Sequence, residues 1–378
     1  MWPKVLHVAE TIKGGIASYL DEIIPYQAAQ FGAGNVGLLL PRSQLGELPA
    51  ARGVRVWTFD DDCGRPRRVL RIRRMLPAVE AEFGPNVVHA HGSFAGIATR
   101  IPGLAPRAPV VYCSHGWAFD RESSRLKNAV IAAIERLLAP SARVIVCISR
   151  HDYRSGLRAG IEPTRLKLVE NGIADQAAQG ATTRRDGKCT WLFAGRFDRQ
   201  KGVDIFLEAM RRMQHECHGV LLGGTVLADE TLADVPPNVA VRGWAPRDEV
   251  QREIAAADAI VMPSRWEGFG LIAIEAMRAS RPVIATRVGG LGDLVIDGWN
   301  GRVVEPNSVD SLVKVLRACN RASLAGMGEN ARRFYLASYT AQKLNRALFR
   351  LYLDAVRPTE PATLHERHWL APAGRRAV

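Results

Sequence analysis

The chain has 378 residues, 47% of them hydrophobic and 24% charged, with 34 glycines and 21 prolines. That mixture supplies core enough for two domains and excludes disorder, collagen and coiled coil. The excess of 51 lysines and arginines over 38 acids, a net charge of +13, favours anionic partners: a phosphorylated ligand, an acidic membrane face or nucleic acid.

Thirteen short apolar runs are strand candidates. In the first half they are Val5–Ala9, Val36–Leu40, Val54–Phe59, Val87–Ala90, Val110–Cys113, Val144–Ile148 and Leu166–Val169. In the second half they are Trp191–Ala194, Val220–Leu222, Val239–Val241, Ala259–Met262, Pro282–Ala285 and Arg302–Val304. Near-continuous apolar runs suit strands buried on both faces of a parallel sheet. Amphipathic stretches lie between them: Ala17–Phe31, Val69–Phe83, Leu126–Leu138, Val203–Met213 and Gly270–Ala279. This alternation predicts α/β architecture: two Rossmann-like, doubly wound domains facing across a cleft, over 1–175 and 189–330. The polar stretch Gln176–Lys188 reads as the linker, and 331–356 as a terminal helical region that can return to the first domain. The tail from Arg357, rich in Pro, Arg and His, has the composition of a poorly ordered terminus.

The first ten residues, broken by His7 and Glu10, do not read as a signal peptide. No apolar stretch approaches the ~18 residues of a spanning helix. Six scattered cysteines with no Cys-x-x-Cys pair argue against a disulfide framework or zinc site and for a reducing, cytoplasmic setting.

Ligands of such sheets bind beyond the carboxyl ends of the strands. The residues there are Thr11, His91, His115, Ser149, Asn171, Arg196, Gly223, Ser264 and Arg287, a polar and cationic set. Gly14 and Gly15 follow the first strand, where paired glycines let backbone N–H groups approach an anion. Gly195 and Arg196, with Lys201 five residues on, place two cations on one loop, enough to hold a diphosphate. In Pro263–Met277, Gly268 and Gly270 open the approach to a helix N-terminus near Gly270, with Glu267 before it and Glu275 inside the helix. His115 could donate to a hydroxyl, or support positive charge through its neighbouring carbonyl. Of His89 and His91 only one is expected to face the cleft; His91 is the candidate and His89 points away. Asp60, Asp61 and Asp62 read as a solvated turn, not a metal site. Arg65, Arg67, Arg68, Arg71 and Arg74, with Arg73, form an arginine run beside an apolar stripe, suited to anionic lipid or a lipid diphosphate. Without an aromatic-rich basic surface, nucleic acid is disfavoured.

Together these segments resemble the family 4 glycosyltransferases of the GT-B fold, from Val5 to about Tyr352. The most specific part is Pro-Ser-x-x-Glu-Gly-Phe-Gly-(x)4-Glu-Ala-Met at 263–277, the Glu-x7-Glu motif. Gly14-Gly15, His115-Gly116, Asn171-Gly172-Ile173, Gly195-Arg196, Lys201-Gly202 and Gly289-Gly290 support it.

The resemblance implies metal-independent, retaining transfer of a hexose from a nucleoside diphosphate sugar (UDP- or GDP-linked), with no cofactor. It implies that Arg196 and Lys201 bind the diphosphate with the amides of Phe269–Leu271 and Gly15. Glu275 would hold the ribose, Glu267 the donor sugar, and His115 the hydroxyls near the reacting carbon. By the same analogy the acceptor is a glycan on a polyprenyl diphosphate, in extracellular polysaccharide or lipopolysaccharide assembly on the inner membrane face. A nucleotide-sugar 2-epimerase of the same fold and a catalytically idle binding partner are the rival readings. Three departures stand out: Ser280 where the family usually has glycine, Gly292-Asp293 where a glutamate is common, and Gly223-Gly224-Thr225 in place of Gly-x-Gly-Pro.

Overall fold

The computed structural model describes residues 2–176, 186–225, 232 and 234–357. Residues 177–185 of the expected linker and 358–378 of the expected tail lie outside them. The first half runs β1 (Val5–Ala9), α1 (Gly15–Phe31), β2 (Val36–Pro41), β3 (Arg55–Phe59), α2 (Arg65–Phe83), β4 (Val87–His91) and α3 (Ser93–Arg100). It continues with β5 (Val110–Cys113), α4 (Arg125–Leu138), β6 (Val144–Cys147), α5 (Arg150–Arg158) and β7 (Leu166–Leu168). The second half runs β8 (Cys189–Arg196), α6 (Val203–Arg212), β9 (Cys217–Gly224), β10 (Val239–Gly243), α7 (Arg247–Ala256), β11 (Ala259–Met262) and α8 (Leu271–Arg278). After it come β12 (Val283–Thr286), α9 (Leu291–Leu294), β13 (Gly301–Val304), α10 (Val309–Ala318), α11 (Arg321–Ser338) and α12 (Ala341–Val356).

Every apolar run noted in the sequence is a strand. They form two all-parallel sheets, ordered β3-β2-β1-β4-β5-β6-β7 and β10-β9-β8-β11-β12-β13. The central strands β1, β4, β5, β11 and β12 are buried along their whole length, which is why they carry apolar runs without alternation. In each sheet the strand order reverses next to the first strand, between β1 and β4 and between β8 and β11. A crevice opens at such a switch point. One apolar core runs from the inner face of the first sheet through Ile12, Phe269 and Tyr339 into the second. This is the doubly wound α/β architecture expected from the alternation.

The terminal helices differ from the expected span. α11 begins at Arg321, ten residues before the expected start, so position 331 falls inside a helix. Asn320 caps it reciprocally with Ser323, a signal present in the sequence but masked by Gly326 and Gly328, which weaken helical propensity. α12 lies against the first domain: Asn345 Nδ2 donates to the Glu22 carbonyl at 3.0 Å, and Gln27 Nε2 lies 3.3 Å from the Tyr352 hydroxyl. The two chain crossings run side by side where the Ile173 N–H donates to the Tyr339 carbonyl (3.0 Å) and the Ala341 N–H to the Ile173 carbonyl (2.8 Å). This crossing is where Asn171-Gly172-Ile173 sits.

Helix α4 turns its apolar face outward. Leu126 is 76% and Leu137 72% exposed, with Val130 and Ile134 exposed beside them, while Glu135 is buried against Arg100 and Tyr112. In the sequence this stretch reads only as amphipathic, which does not say which way its apolar side faces. The aspartate run is exposed at Asp60 and Asp62, as expected of a turn, and it also pairs with Arg42, Ser43 and Arg71. All six cysteines are free thiols, and no helix of the described residues is long and apolar enough to cross a membrane.

Candidate active site

The strand ends at the two switch points face each other. From the first sheet come Gly14 and Gly15 after β1, and Ser114-His115-Gly116 after β5. From the second come Gly195 and Arg196 at the end of β8, and the loop 263–270 after β11. Parallel strands place all these carboxyl ends on one side, so the topology itself gathers them.

The loop 263–270 is held from several directions. Arg265, only 9% exposed, pairs with Asp204 at 2.6 Å and donates to the Arg199 carbonyl at 2.8 Å. Thr286 Oγ1 donates to the Ser264 carbonyl, and the Gly290 N–H to the Glu267 carbonyl at 3.1 Å. A β-carbon on Gly289 would stand 1.7 Å from that Glu267 carbonyl, so no other residue fits there. The loop delivers Gly270 to the start of α8, whose first N–H groups have no partner within the helix and favour an anion. Gly15 is brought opposite, its added β-carbon within 3.8 Å of Leu271 Cδ1. Gly116 and Gly268 meet more closely: a β-carbon on either would lie 3.1 Å from the other's Cα.

The two expected cations stand on this rim. Arg196 donates to Gln200 Oε1 at 2.7 Å and pairs with Asp198 at 2.9 Å. Gln200 in turn donates to the Trp266 carbonyl at 3.2 Å, tying the β8 loop to the 263–270 loop. The Lys201 ammonium contacts the Glu267 carboxylate, with both side chains mostly buried. Glu275 lies one turn inside α8. Burial pushes its carboxyl above the ordinary value; Arg278 and Arg247 oppose that shift and Glu22 adds to it. Arg121, which the sequence did not single out, has its guanidinium lowered by burial, then by Arg65 and Arg196. Arg199 donates to Glu122 at 2.8 Å, so the segment that carries Arg121 meets the loop after β8 that follows Arg196.

The arginine run is divided by the fold. Arg68 pairs with Glu10 at 3.2 Å and Arg71 with Asp62 at 2.5 Å, so neither belongs to a free lipid-facing set. Arg65, Arg67 and Arg74 are exposed, and Arg65 lies over the Phe94 ring.

His115 adopts a left-handed backbone (φ +54), uncommon for a residue with a β-carbon, and its carbonyl lies 3.2 Å from where a Gly268 β-carbon would stand. Its ring joins a buried row: Nε2 is 3.0 Å from His91 Nδ1, and His91 Nε2 is 3.0 Å from His7 Nδ1. His89 does not point away from His91. Residues two apart on a strand share a face, and the two rings stand 4.1 Å apart. Burial lowers all four imidazoles, His7 to about 4 and His115 to about 3, so the row is neutral at pH 7. His7, His89 and His91 offer nitrogens within 4.8 Å of one another, but those of His7 and His91 already hydrogen-bond each other.

The departures acquire places. Ser280 sits at φ +58, the left-handed region that explains the usual glycine. Asp293 accepts from the His151 N–H at 2.9 Å and from Arg154 at 2.8 Å, clamping α9 to the start of α5 across the two halves. Gly224 lies under Trp244, and its carbonyl accepts from the Phe197 N–H at 2.8 Å.

Comparison with known proteins agrees with this geometry. Residues 188–320 match the family model described as glycosyl transferases group 1, and residues 14–172 the glycosyl transferase 4-like domain. A glycosyltransferase of Methanocaldococcus jannaschii is 31% identical over 264 residues, 68% of this chain and 72% of its own. A 41.2 kDa protein from the cps region of Klebsiella pneumoniae is 28% identical over 82% of this chain and 88% of its own. An Escherichia coli UDP-Gal:α-D-GlcNAc-diphosphoundecaprenol α-1,3-galactosyltransferase is 25% identical over 72% of this chain and 76% of its own. Among solved structures, Anabaena HepE in complex with UDP-glucose superposes with a TM-score of 0.77 at 18% identity, covering 93% of this chain and 100% of its own.

Proposed function

The chain belongs to the family 4 glycosyltransferases of the GT-B fold, and from that premise we propose that it moves a hexose from a nucleoside diphosphate sugar to a lipid diphosphate-linked glycan, with retention and without a metal. The observation that carries this reading is the pairing of a cationic rim, Arg196 and Lys201, with the open N-terminus of α8 across a cleft lined by Gly15 and His115.

The diphosphate lies between that rim and the amides from Phe269 to Leu271. As the sugar–oxygen bond breaks, charge grows on the phosphate, and fixed cations and N–H dipoles stabilise it most at that moment. They take the place that a divalent ion would fill. Glu275 accepts from the ribose hydroxyls and Glu267 from the sugar. The sugar carbon turns oxocarbenium-like, and the His115 carbonyl, which lies beside the Gly268 backbone, supports it. The acceptor hydroxyl attacks from the face the phosphate leaves and gives its proton to that phosphate.

The donor base is taken as uridine: HepE is described with UDP and with UDP-glucose. The lipid diphosphate acceptor is supported by the E. coli relative's activity and by Arg65 and Arg121, cations outside the donor's diphosphate site. A role in polysaccharide assembly is supported by the cps-region relative. The exposed apolar face of α4, together with Arg67 and Arg74, supports docking on the anionic inner face of a membrane.

The test is a thermal-shift panel of nucleoside diphosphates and their sugars without metal, followed by turnover. A shift selective for one nucleotide and abolished by Arg196→Ala is expected. No shift with any nucleotide sinks the donor site.

A further inference from the structure

We propose that Tyr352, on the terminal helix α12, sets which ring nitrogen of His115 carries the proton, acting through Gln27, His7 and His91. The functional side of this rests on His115 as the cleft histidine of the transferase; the tautomer itself does not. Gln27, His7, His91 and Tyr352 are then positioning residues, remote from any substrate.

The contacts form one line. From the cleft inward, His115 Nε2 meets His91 Nδ1 at 3.0 Å, and His91 Nε2 meets His7 Nδ1 at 3.0 Å. His7 Nε2 then meets Gln27 Oε1 at 2.8 Å, and Gln27 Nε2 the Tyr352 hydroxyl at 3.3 Å. The same hydroxyl is 2.7 Å from His89 Nδ1. His7, His89, His91, Gln27 and Tyr352 are all buried, so water does not break the line.

A neutral imidazole has one donor nitrogen and one acceptor. Each ring in the row therefore fixes the next. With the Gln27 carbonyl toward His7, the proton of His7 must sit on Nε2, and its bare Nδ1 accepts from His91 Nε2–H. His91 then accepts at Nδ1 from His115 Nε2–H. His115 is left with a bare Nδ1, an acceptor of hydrogen bonds. Turning the Gln27 amide over would reverse every bond at once and make Nδ1 a donor. With the amide carbonyl toward His7, its NH2 donates to the Tyr352 hydroxyl, whose own proton then goes to His89 Nδ1 and leaves the His89 proton on Nε2. The opposite set would need His89 to donate from Nδ1, so the amide, the hydroxyl and His89 can only turn over together. The sequence suggested that His115 donates to a sugar hydroxyl through its ring; this line makes its ring nitrogen accept from one. No single ring can change its proton without the others, so a change at α12 is felt in the cleft.

The experiment is long-range 15N–1H correlation of the ring nitrogens in histidine-labelled full-length protein. The wild type should show His115 as a single tautomer protonated at Nε2. Tyr352→Phe removes the acceptor of the Gln27 NH2 and should give a mixture of tautomers at His115. It should also lower kcat about tenfold with donor KM unchanged, the size of one hydrogen bond. If Tyr352→Phe does not fold, Gln27→Leu breaks the line one residue nearer and should give the same mixture. An unchanged single tautomer in folded Tyr352→Phe overturns the proposal, and so does one in Gln27→Leu. So does one equivalent of zinc in the purified protein whose removal shifts the His7, His89 and His91 signals. The tautomer is read without turnover, so failure of the transferase reading would leave this result standing.

Discussion

Lys201 and Glu267, 66 residues apart in sequence, hold one another at the centre of the cleft rim, each mostly buried. The cation expected to bind a diphosphate and the carboxylate expected to bind a sugar are thus positioned as a pair before any ligand arrives. On the proposed function, arriving phosphate oxygens would share the ammonium with Glu267, and neither side chain would need to be ordered at that moment. Preorganisation of this kind is what makes a charged site effective in the transition state.

Lys201→Ala removes one member of that pair. Turnover should fall about 100-fold or more, as for loss of one preorganised charge-stabilising group, and the nucleotide-dependent thermal shift should shrink. Lys201→Arg should recover part of both, since charge returns without the same reach. Equal turnover in wild type and Lys201→Ala would remove Lys201 from the site.

The contact of Gly116 with Gly268 sets how closely the two halves approach. Gly116 also has φ +95, so Gly116→Ala adds backbone strain of about 1–2 kcal/mol to the crowding. Gly84→Ala, at the end of α2, carries left-handed strain (φ +63) with open space around the added carbon. Chemical denaturation should therefore show Gly116→Ala as the less stable of the two. The reverse order would mean that the halves separate freely here.

Acid should destabilise the fold early. In an unfolded chain the four histidines of the row would titrate near 6.5, whereas desolvation holds His7 down to about 4 and His115 to about 3. The unfolded state therefore binds more protons as pH falls below 6.5, and stability drops across the window from 6.5 toward 4. Calorimetry should show the midpoint falling through that range. A flat profile would mean that the row is hydrated.

Asp152 acts with the opposite sign. Burial raises its carboxyl to about 7, so the folded state holds a proton that the unfolded state has released. Its contribution is present in acid and is lost as pH rises through 7. Asp152→Asn should raise the midpoint relative to wild type at pH 8, and the gain should vanish near pH 4.

The outward face of α4 predicts membrane behaviour. Leu126→Ser with Leu137→Ser should abolish co-sedimentation with anionic vesicles while leaving the melting midpoint unchanged, since both side chains are exposed. Arg67→Glu with Arg74→Glu should weaken the same binding in a salt-dependent way. Binding unchanged in both variants would remove this surface from the membrane model.

Much of the candidate site was legible because its signals are local. Glycines at 268 and 270 before an apolar helix, and Arg196 with Lys201 at a strand end, are short-range patterns that any parallel sheet would place at the carboxyl ends. The histidine row was only half legible. His89 and His91 share a face by the period of a strand, and His7 is opposite His89 only through the register of β1 with β4. Nothing near His89 in sequence announces Tyr352, which lies 263 residues away. The fate of the arginine run was equally hidden. Arg68 and Arg71 are taken up by Glu10 and Asp62, whereas Arg65, Arg67 and Arg74 keep an exposed position.

The sequence by itself determined the strands, because burial on both faces demands continuous apolar runs. It also determined the family, because its motifs are contiguous. Only the tertiary structure decided which charges remain for a ligand and which neutralise each other, as Asp293 does in clamping His151 and Arg154. It alone brought α12 back to the first domain and turned the apolar stripe of α4 outward. These are matters of distance between segments remote in the chain. Electrostatic and hydrogen-bond energies depend on that distance and on the exclusion of water, which periodicity does not encode.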